Sequence, residues 1–288
     1  MTPPQPPARR FRLAVLQPPL AAGQPDANRA LIRAQIESVT GDGAVDIVVL
    51  PEIYDGRTAP ADGRGDVEFL GSLARDYRTH VIGGSCLVNE TDGSFNRCCV
   101  VHRDGALVGH YDKRVLFAGE ARLRRPGSGP GVFDLDGIRV AVLICADAWH
   151  PETARELRDV ADIVAIPVKS AVPTQRHVAY GRRTWHALVL TRAMENAYVV
   201  AASDWATGVH SASARPPTDA CNARYFTCGA TSIADPSHRP EIDAIHRTIP
   251  DGDRGIIAAD IDLDALDAFR CYRGSVGLLP RSSGDGLV

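Results

Sequence analysis

Short apolar runs separated by helical stripes most narrow the folds open to this chain. Residues 11–17 (FRLAVLQ) and 45–50 (VDIVVL) read as strands, the second stopped by Pro51. Ile32, Ile36 and Val39 recur at helical spacing within 26–39, and Val67, Leu70, Leu73, Ala74 and Tyr77 mark a second helix. Strand–helix alternation calls for parallel strands. The runs 81–87, 95–102 and 106–111 follow too closely for helices and are divided by Thr91-Asp92-Gly93 and Arg103-Asp104-Gly105, which makes them antiparallel. A Gly/Pro-rich loop over 125–131 leads to a strand at 133–135, a turn at Asp136-Gly137, and the continuous apolar strand 138–144 running into Cys145. Pro151 then starts a helix through Val160, with Glu152 near its N-terminus. A strand at 162–168, a long helix at 174–196 and a strand at 198–203 repeat the theme. A Ser/Pro/Ala-rich loop spans 208–223, and strands at 226–233 and 255–262 with a short helix at 263–270 complete the pattern. These elements predict one mixed α/β domain over 11–288 behind a disordered Pro-rich tail at 1–10.

Composition excludes several functions. Lys and Arg total 32 against 35 Asp and Glu, a net charge of −3, with no basic cluster interleaved with aromatics, so nucleic acid is not an expected partner. No run reaches the ~18 apolar residues of a membrane span and the N-terminus has no apolar signal core, which points to a cytoplasmic protein with no membrane partner. The seven cysteines are odd in number and contain no C-x-x-C, so neither a disulfide framework nor structural zinc is expected. Adjacent Cys98 and Cys99 should point to opposite faces of a strand.

The chemistry concentrates where an ionisable residue stands at a strand end or in a charged turn: Glu52 in VVLPEIY, Lys113 in YDKRVLF and Cys145 in VAVLICADAWHPE. Strand ends build the ligand crevice of open α/β sheets, so residues far apart in sequence can converge there. Each alone has a structural reading, as a loop acid, a solvated lysine or a small buried thiol.

Taken in order, Pro51-Glu52, then Tyr111-x-Lys113 with Leu116-Phe117, then Cys145-x-Asp147 with Pro151-Glu152, resemble the Glu, Lys and Cys blocks of the nitrilase (carbon-nitrogen hydrolase) superfamily. Arg192-Ala193-Met194-Glu195-Asn196 is similar to its R-A-x-E-N helix, and the run from Gly229 to Pro236 to its G-x-S-x-I-x-D-P strand. The resemblance covers about residues 11–270. It implies a four-layer α-β-β-α sandwich with two mixed β-sheets, and association into a dimer or larger homo-oligomer.

The implied reaction is hydrolysis of a non-peptide carbon–nitrogen bond, with a small-molecule amide as substrate and no metal or cofactor. An ordinary thiol is mostly protonated at neutral pH, so a cysteine nucleophile needs a base, and the developing oxyanion needs a cation. Cys145 supplies the thiolate, Glu52 the base and Lys113 the cation, with the Ala146 backbone N–H completing the oxyanion hole. Glu120 matches the second glutamate that relatives place after the lysine, holding Lys113 or orienting the amide. Asp147, Glu152 and Glu195 would support backbone amides near the nucleophile. Lys169, Trp149 and Tyr54 are candidate substrate contacts, Lys169 through an acidic group on the substrate. The basic residues that grip a carboxylate after the cysteine in N-carbamoyl-amino-acid hydrolases are replaced by Ala148-Trp149, which disfavours that subclass. Amidase chemistry is the first reading; a nitrilase or N-carbamoyl hydrolase and a catalytically silent binding protein are the alternatives.

Overall fold

The computed structural model describes residues 9–41, 43–211, 224–237 and 245–279. In chain order its first half contains β1 (Arg10–Gln17), α1 (Pro25–Gly41), β2 (Ile47–Val49), α2 (Arg64–Tyr77), β3 (His80–Ile82), β4 (Cys86–Glu90), β5 (Gly93–Val101) and β6 (Leu107–Asp112). There follow β7 (Gly131–Leu135), β8 (Ile138–Val142), α3 (Pro151–Arg155), β9 (Ile163–Pro167), α4 (Val178–Asn196) and β10 (Val199–Ser203). The last part holds β11 (Gly208–Ser211), β12 (Arg224–Thr227), β13 (Ser232–Ala234), β14 (His246–Thr248), β15 (Gly255–Asp262) and α5 (Leu263–Ser275).

Two mixed sheets result. One runs β15-β1-β2-β3-β5-β4 with β6 also on β5; β1, β2 and β3 are parallel and the other pairings antiparallel. The other runs β14-β13-β10-β9-β8-β7, with β8, β9 and β10 parallel. The period-2 pleat sorts the side chains. Leu13, Val15, Ile47, Val49, Ile82, Cys98 and Val100 face the second sheet, where Val140, Val142, Ile163 and Val199 meet them. Ala14, Leu16, Val48, Val81, Cys99 and Val101 turn outward onto Ile32, Ile36, Leu70 and Leu73 of α1 and α2. The outer side of the second sheet carries α4 through Trp185, Val189 and Ala193. Strands covered on both faces need apolar residues at every position, hence the unbroken runs. Each fully buried Leu, Ile or Val contributes about 1.5–3 kcal/mol. The fold is the expected α-β-β-α sandwich, and Cys98 and Cys99 part to opposite faces as expected.

Several boundaries differ from the sequence reading. The run 81–87 is two strands, β3 and β4. Gly84 turns the chain at φ +62°, and a Cβ there would lie 2.1 Å from the Pro51 carbonyl oxygen. The run 226–233 likewise splits, into β12 and β13, and the short β14 carried no recognisable pattern. Part of the expected loop at 208–223 is strand, because Gly208–Ser211 pairs with Arg224–Thr227; residues 212–223 lie outside the described part. The helix expected to reach Val160 stops at Arg155, where bonding tightens to i→i+3 turns from Leu157 N to Ala154 O and from Val160 N to Leu157 O. The helix expected at 174–196 begins with the 3-10 turn Gln175–His177, and α5 runs past 270 to Ser275, its N-terminus capped by the Asp262 carboxylate. Of the expected tail, residues 1–8 lie outside the described part, but Arg9 pairs with Asp264 and Asp267, and Arg10 opens β1 and pairs with Asp262. No described helix is long and apolar enough to cross a membrane.

Candidate active site

The C-terminal ends of β2, β6, β8 and β9 bring the predicted residues together. Beyond β2, the Glu52 N–H donates to Val168 O (3.2 Å) and the Glu52 carbonyl accepts the Trp205 indole N–H (2.7 Å), so both sheets hold its backbone. Its carboxylate is buried. Oε1 accepts from Lys113 Nζ (2.7 Å) and Asn96 Nδ2 (2.9 Å), and Oε2 accepts from the Lys169 backbone N–H (3.1 Å).

Lys113 follows β6 and is 2% exposed. A second bond joins its ammonium to Glu120 Oε2 (2.8 Å). Burial works against this charge, but Glu52, Cys145 and Glu120 outweigh it and raise its pKa. Glu120, in the 3-10 turn Ala118–Arg122, also accepts from the Phe117 N–H (2.8 Å). Burial of its carboxyl is more than offset by the Lys113 charge and these hydrogen bonds, which lower its pKa.

Cys145 ends the approach from β8 at φ +47°, a left-handed conformation uncommon for a side-chain-bearing residue, and opens the 3-10 turn Cys145–Trp149. The residue is 9% exposed. Burial and the Glu52 charge push the thiol pKa well up against the opposing pull of Lys113 and the Lys169 amide, so the resting group is a thiol. Asp147 ties this turn to the lysine loop. Its carboxylate accepts from the Ile144 N–H (2.9 Å) and Tyr111 OH (2.8 Å) on one oxygen, and from the Arg114 (3.1 Å) and Val115 (2.6 Å) N–H groups on the other. Behind the turn, Arg192 of α4 donates to the Ala148 (3.0 Å) and Trp149 (3.3 Å) carbonyls. The Ala146 N–H donates to no protein oxygen among the described residues.

A cavity of about 80 Å³ opens beside Cys145, lined by Phe117, Ala146, Trp149, Lys169, Ala171 and Trp185 among others. A larger one of about 550 Å³, bordered by Leu20, Thr58, Ala206 and His210, includes no member of the Glu52–Lys113–Glu120–Cys145 cluster. Buried acid, cation and thiol in mutual contact suit acyl transfer to sulfur.

Residues 12–270 match the family model described as carbon-nitrogen hydrolase. The chain belongs to that family. This carbon-nitrogen hydrolase is 27% identical to a 2-oxoglutaramate amidase of Bacillus subtilis, over 88% of the chain and 92% of that protein. It is 30% identical to the omega-amidase YafV of Yersinia enterocolitica over 66% of the chain and 72% of that protein. In fold it is similar to a carbon-nitrogen hydrolase from Helicobacter pylori G27, with a TM-score of 0.78 at 18% identity, covering 94% of this chain and 95% of that one. Saccharomyces cerevisiae Nit3, of the nitrilase superfamily, superposes with a TM-score of 0.74 at 22% identity over 94% and 96% of the two chains.

Elsewhere the hydrolase departs from the sequence reading. Tyr54 makes no wall of the cavity. It is 0% exposed and packs in the outer core, with its hydroxyl donating to Asp66 (2.9 Å). Ile53, at φ +48°, reverses the chain between Glu52 and Tyr54 and sends the ring to the helix side. Glu152 is exposed and bonds no amide of the nucleophile turn; Glu195 is exposed and pairs with Arg192, which does the supporting instead. Trp149 does line the cavity, half exposed, with its ring edge-on to Trp185 (5.6 Å between centroids). Lys169 lines it too.

Sequence reasoning missed Asn96, whose side-chain amide spans both glutamates, 2.9 Å from Glu52 and 3.4 Å from Glu120. Its signal was parity, since Asn96 shares the inward face of β5 with Cys98 and Val100 and is the polar member of that set. Asp204 was also missed. This buried carboxylate accepts from Ser170 N–H and OH and from the Trp205 and Ala230 N–H groups, and burial holds its pKa up at about 6 despite them. Far from the cavity, ring nitrogens of His80 and His102 and a carboxylate oxygen of Asp136 lie within 4.8 Å of one another. The Arg103 guanidinium already sits there, 2.9 Å from Asp136, and the Arg103 N–H donates to His80 Nδ1. The Arg103 Nε also lies 3.0 Å from His80 Nε2, so a cation already faces both the ring nitrogen and the carboxylate a metal would need, and the donor set suits a salt-bridged clasp better than an ion.

Proposed function

We propose that this hydrolase is an amidase working through a thioester on Cys145. The observation that carries the reading is the buried contact of Glu52 and Glu120 with one ammonium, Lys113, beside the thiol. Glu52 takes the Cys145 proton and the sulfur attacks the amide carbon. The negative charge moves to the carbonyl oxygen, which receives hydrogen bonds from the Ala146 N–H and Lys113. An ammonium has three N–H donors; Glu52 and Glu120 occupy two, leaving one for the oxyanion. The tetrahedral species collapses as Glu52 returns its proton to the leaving nitrogen, and ammonia departs. Glu52 then deprotonates a water that attacks the thioester, releasing the carboxylic acid and restoring the thiol. Glu120 and Asn96 fix the direction of the ammonium and of the base. The amidase names of both relatives support an amide over a nitrile.

Rapid quenching with a small primary amide followed by intact mass spectrometry tests this reading. The expected result is an acyl adduct on Cys145, formed with stoichiometric ammonia and absent from Cys145→Ala, which folds normally and does not turn over. Undiminished hydrolysis by Cys145→Ala refutes the mechanism. Turnover of nitriles or ureido acids in preference to amides assigns the site to one of those chemistries instead.

A further inference from the structure

We propose that Asp204 is a positioning residue for the base, a buried carboxylate that must be ionised to hold two anchors of Glu52 in place, so that its protonation slows the reaction. The inference rests on the amidase reading above, in which Glu52 moves the proton. From the second sheet Glu52 is gripped by the Lys169 backbone N–H at Oε2 (3.1 Å) and by the Trp205 indole N–H at its carbonyl (2.7 Å). Both grips lead back to Asp204. Its Oδ1 accepts from the Ser170 N–H (3.0 Å) and the Trp205 N–H (2.8 Å), and its Oδ2 from the Ser170 hydroxyl (2.6 Å) and the Ala230 N–H (2.9 Å). Ser170 directly follows Lys169 in the turn after β9, and Trp205 carries the indole. The Asp204 backbone is itself pinned, its N–H donating to Thr231 Oγ1 (2.8 Å). One carboxylate thus joins the turn after β9, the end of β10 and the approach to β13.

The donor set identifies the working charge. Four donors converge on two oxygens, and an ionised carboxylate satisfies all of them. A proton on Oδ2 has Ser170 Oγ to go to, but that oxygen already accepts the Cys228 N–H (2.7 Å). Ser170 would have to accept twice and turn its own hydroxyl out of the network, while the neutral carboxyl holds the remaining N–H groups more weakly. The turn carrying the Lys169 amide then loosens at Glu52.

Asp204 is fully buried and forms no ion pair among the described residues, and this burial, only partly offset by the four hydrogen bonds, holds its pKa at about 6. The charged and titratable groups on the elements packed around it are accounted for. Lys169 turns its ammonium over the Trp205 and Tyr225 rings, and Arg182 of α4 reaches the Cys228 carbonyl. Burial and the Asp204 charge push the Cys228 thiol up to about 11, and burial with the Lys169 charge holds His210 at about 4. Cys228 and His210 therefore keep one protonation state between pH 5 and pH 7, where Asp204 changes its own.

The test follows kcat/KM for a small primary amide against pH in the wild type, Asp204→Asn and Ser170→Ala. The wild type is expected to lose activity below a midpoint near 6. An amide side chain accepts on one atom only, so Asp204→Asn is expected to lower kcat about tenfold or more with KM changed a few-fold at most, and to carry the acid limb to lower pH because the titrating group is gone. Ser170→Ala removes one donor from the carboxylate and is expected to raise the midpoint by about one pH unit. Displacement of one limb in opposite directions is a signature that a merely structural contact does not give. A limb left in place in either variant overturns the proposal, as does wild-type kcat in Asp204→Asn. If circular dichroism shows Asp204→Asn unfolded, the Ser170→Ala midpoint decides: raised, it supports the proposal; unmoved, it overturns it. If the wild type turns over no amide, the amidase reading fails, and Cys145 alkylation by iodoacetamide against pH judges the network, since the Lys169 amide also donates toward that sulfur. An inflection near 6 in the wild type that Asp204→Asn lacks supports the positioning role, and coincident profiles overturn it.

Discussion

Replacing Lys113 with Met should separate its catalytic role from its structural one. The ammonium bonds Glu52 at 2.7 Å and Glu120 at 2.8 Å, and its third N–H is the oxyanion donor. Removing one such donor costs about 3–4 kcal/mol of barrier, a factor of 10² to 10³ in kcat. The two carboxylates then face each other about 5 Å apart with no cation between them, and at an effective dielectric constant of 20 their repulsion is roughly 3 kcal/mol. One of them takes up a proton, which weakens the base, so the total loss in kcat should reach about 10³ to 10⁵ with KM changed only a few-fold. Ammonia-release kinetics measure both constants. Stability should respond with the opposite pH slope in the two proteins. In the wild type the Glu120 pKa is lowered, so its contribution is complete above the ordinary carboxylate value of 4.5 and disappears as the pH falls through the lower folded-state value. In Lys113→Met the paired carboxylates have a raised pKa, so the variant is most stable in acid and weakens as the pH rises through that value. Between pH 5 and pH 8 the Glu120 contribution is level in the wild type and falling in the variant, and urea unfolding at those two pH values reads the difference. A rise in KM alone, or parallel pH slopes, would refute the assignment.

Asn96→Asp puts a third carboxylate against Glu52 and Glu120, so the acid limb of the kcat/KM profile should move to higher pH, and Asn96→Ser should move it less; coincident profiles would remove Asn96 from the network. Arg192→Met strands two carbonyls of the nucleophile turn, each costing about 1–3 kcal/mol, and should lower both the melting temperature and kcat, with Lys at 192 restoring part of each. Gly84→Ala should cost about 2–4 kcal/mol and lower kcat, because the new methyl displaces the Pro51 backbone next to Glu52; native-like denaturant midpoints would show that the turn adapts.

The residues that act through their own chemical type at a strand end were open to inspection of the sequence. Glu52, Lys113 and Cys145 interrupt apolar or patterned runs, and a covered strand tolerates an ionisable group only where it ends. The two-faced burial of the middle of β1, β2 and β8 was equally visible, because residues 13–16, 47–49 and 140–142 are covered on both sides and are apolar without a break. Contacts that depend on where separate chain segments end up were not visible. Asn96 lies 44 residues from Glu52 and 24 from Glu120, and only the pairing of β5 with β4 and β6 turns its amide onto both. Tyr54 stands two residues from the base, yet the positive φ of Ile53 sends it to the opposite side of the sheet, a reversal carried by one backbone angle rather than by any side chain. The place of the Lys169 ammonium was decided in the same way. Residue type makes it a cation, but Trp205 and Tyr225, 36 and 56 positions later, hold it over their rings and leave it without an acid, because an electrostatic environment is a property of assembled neighbours and not of local order along the chain.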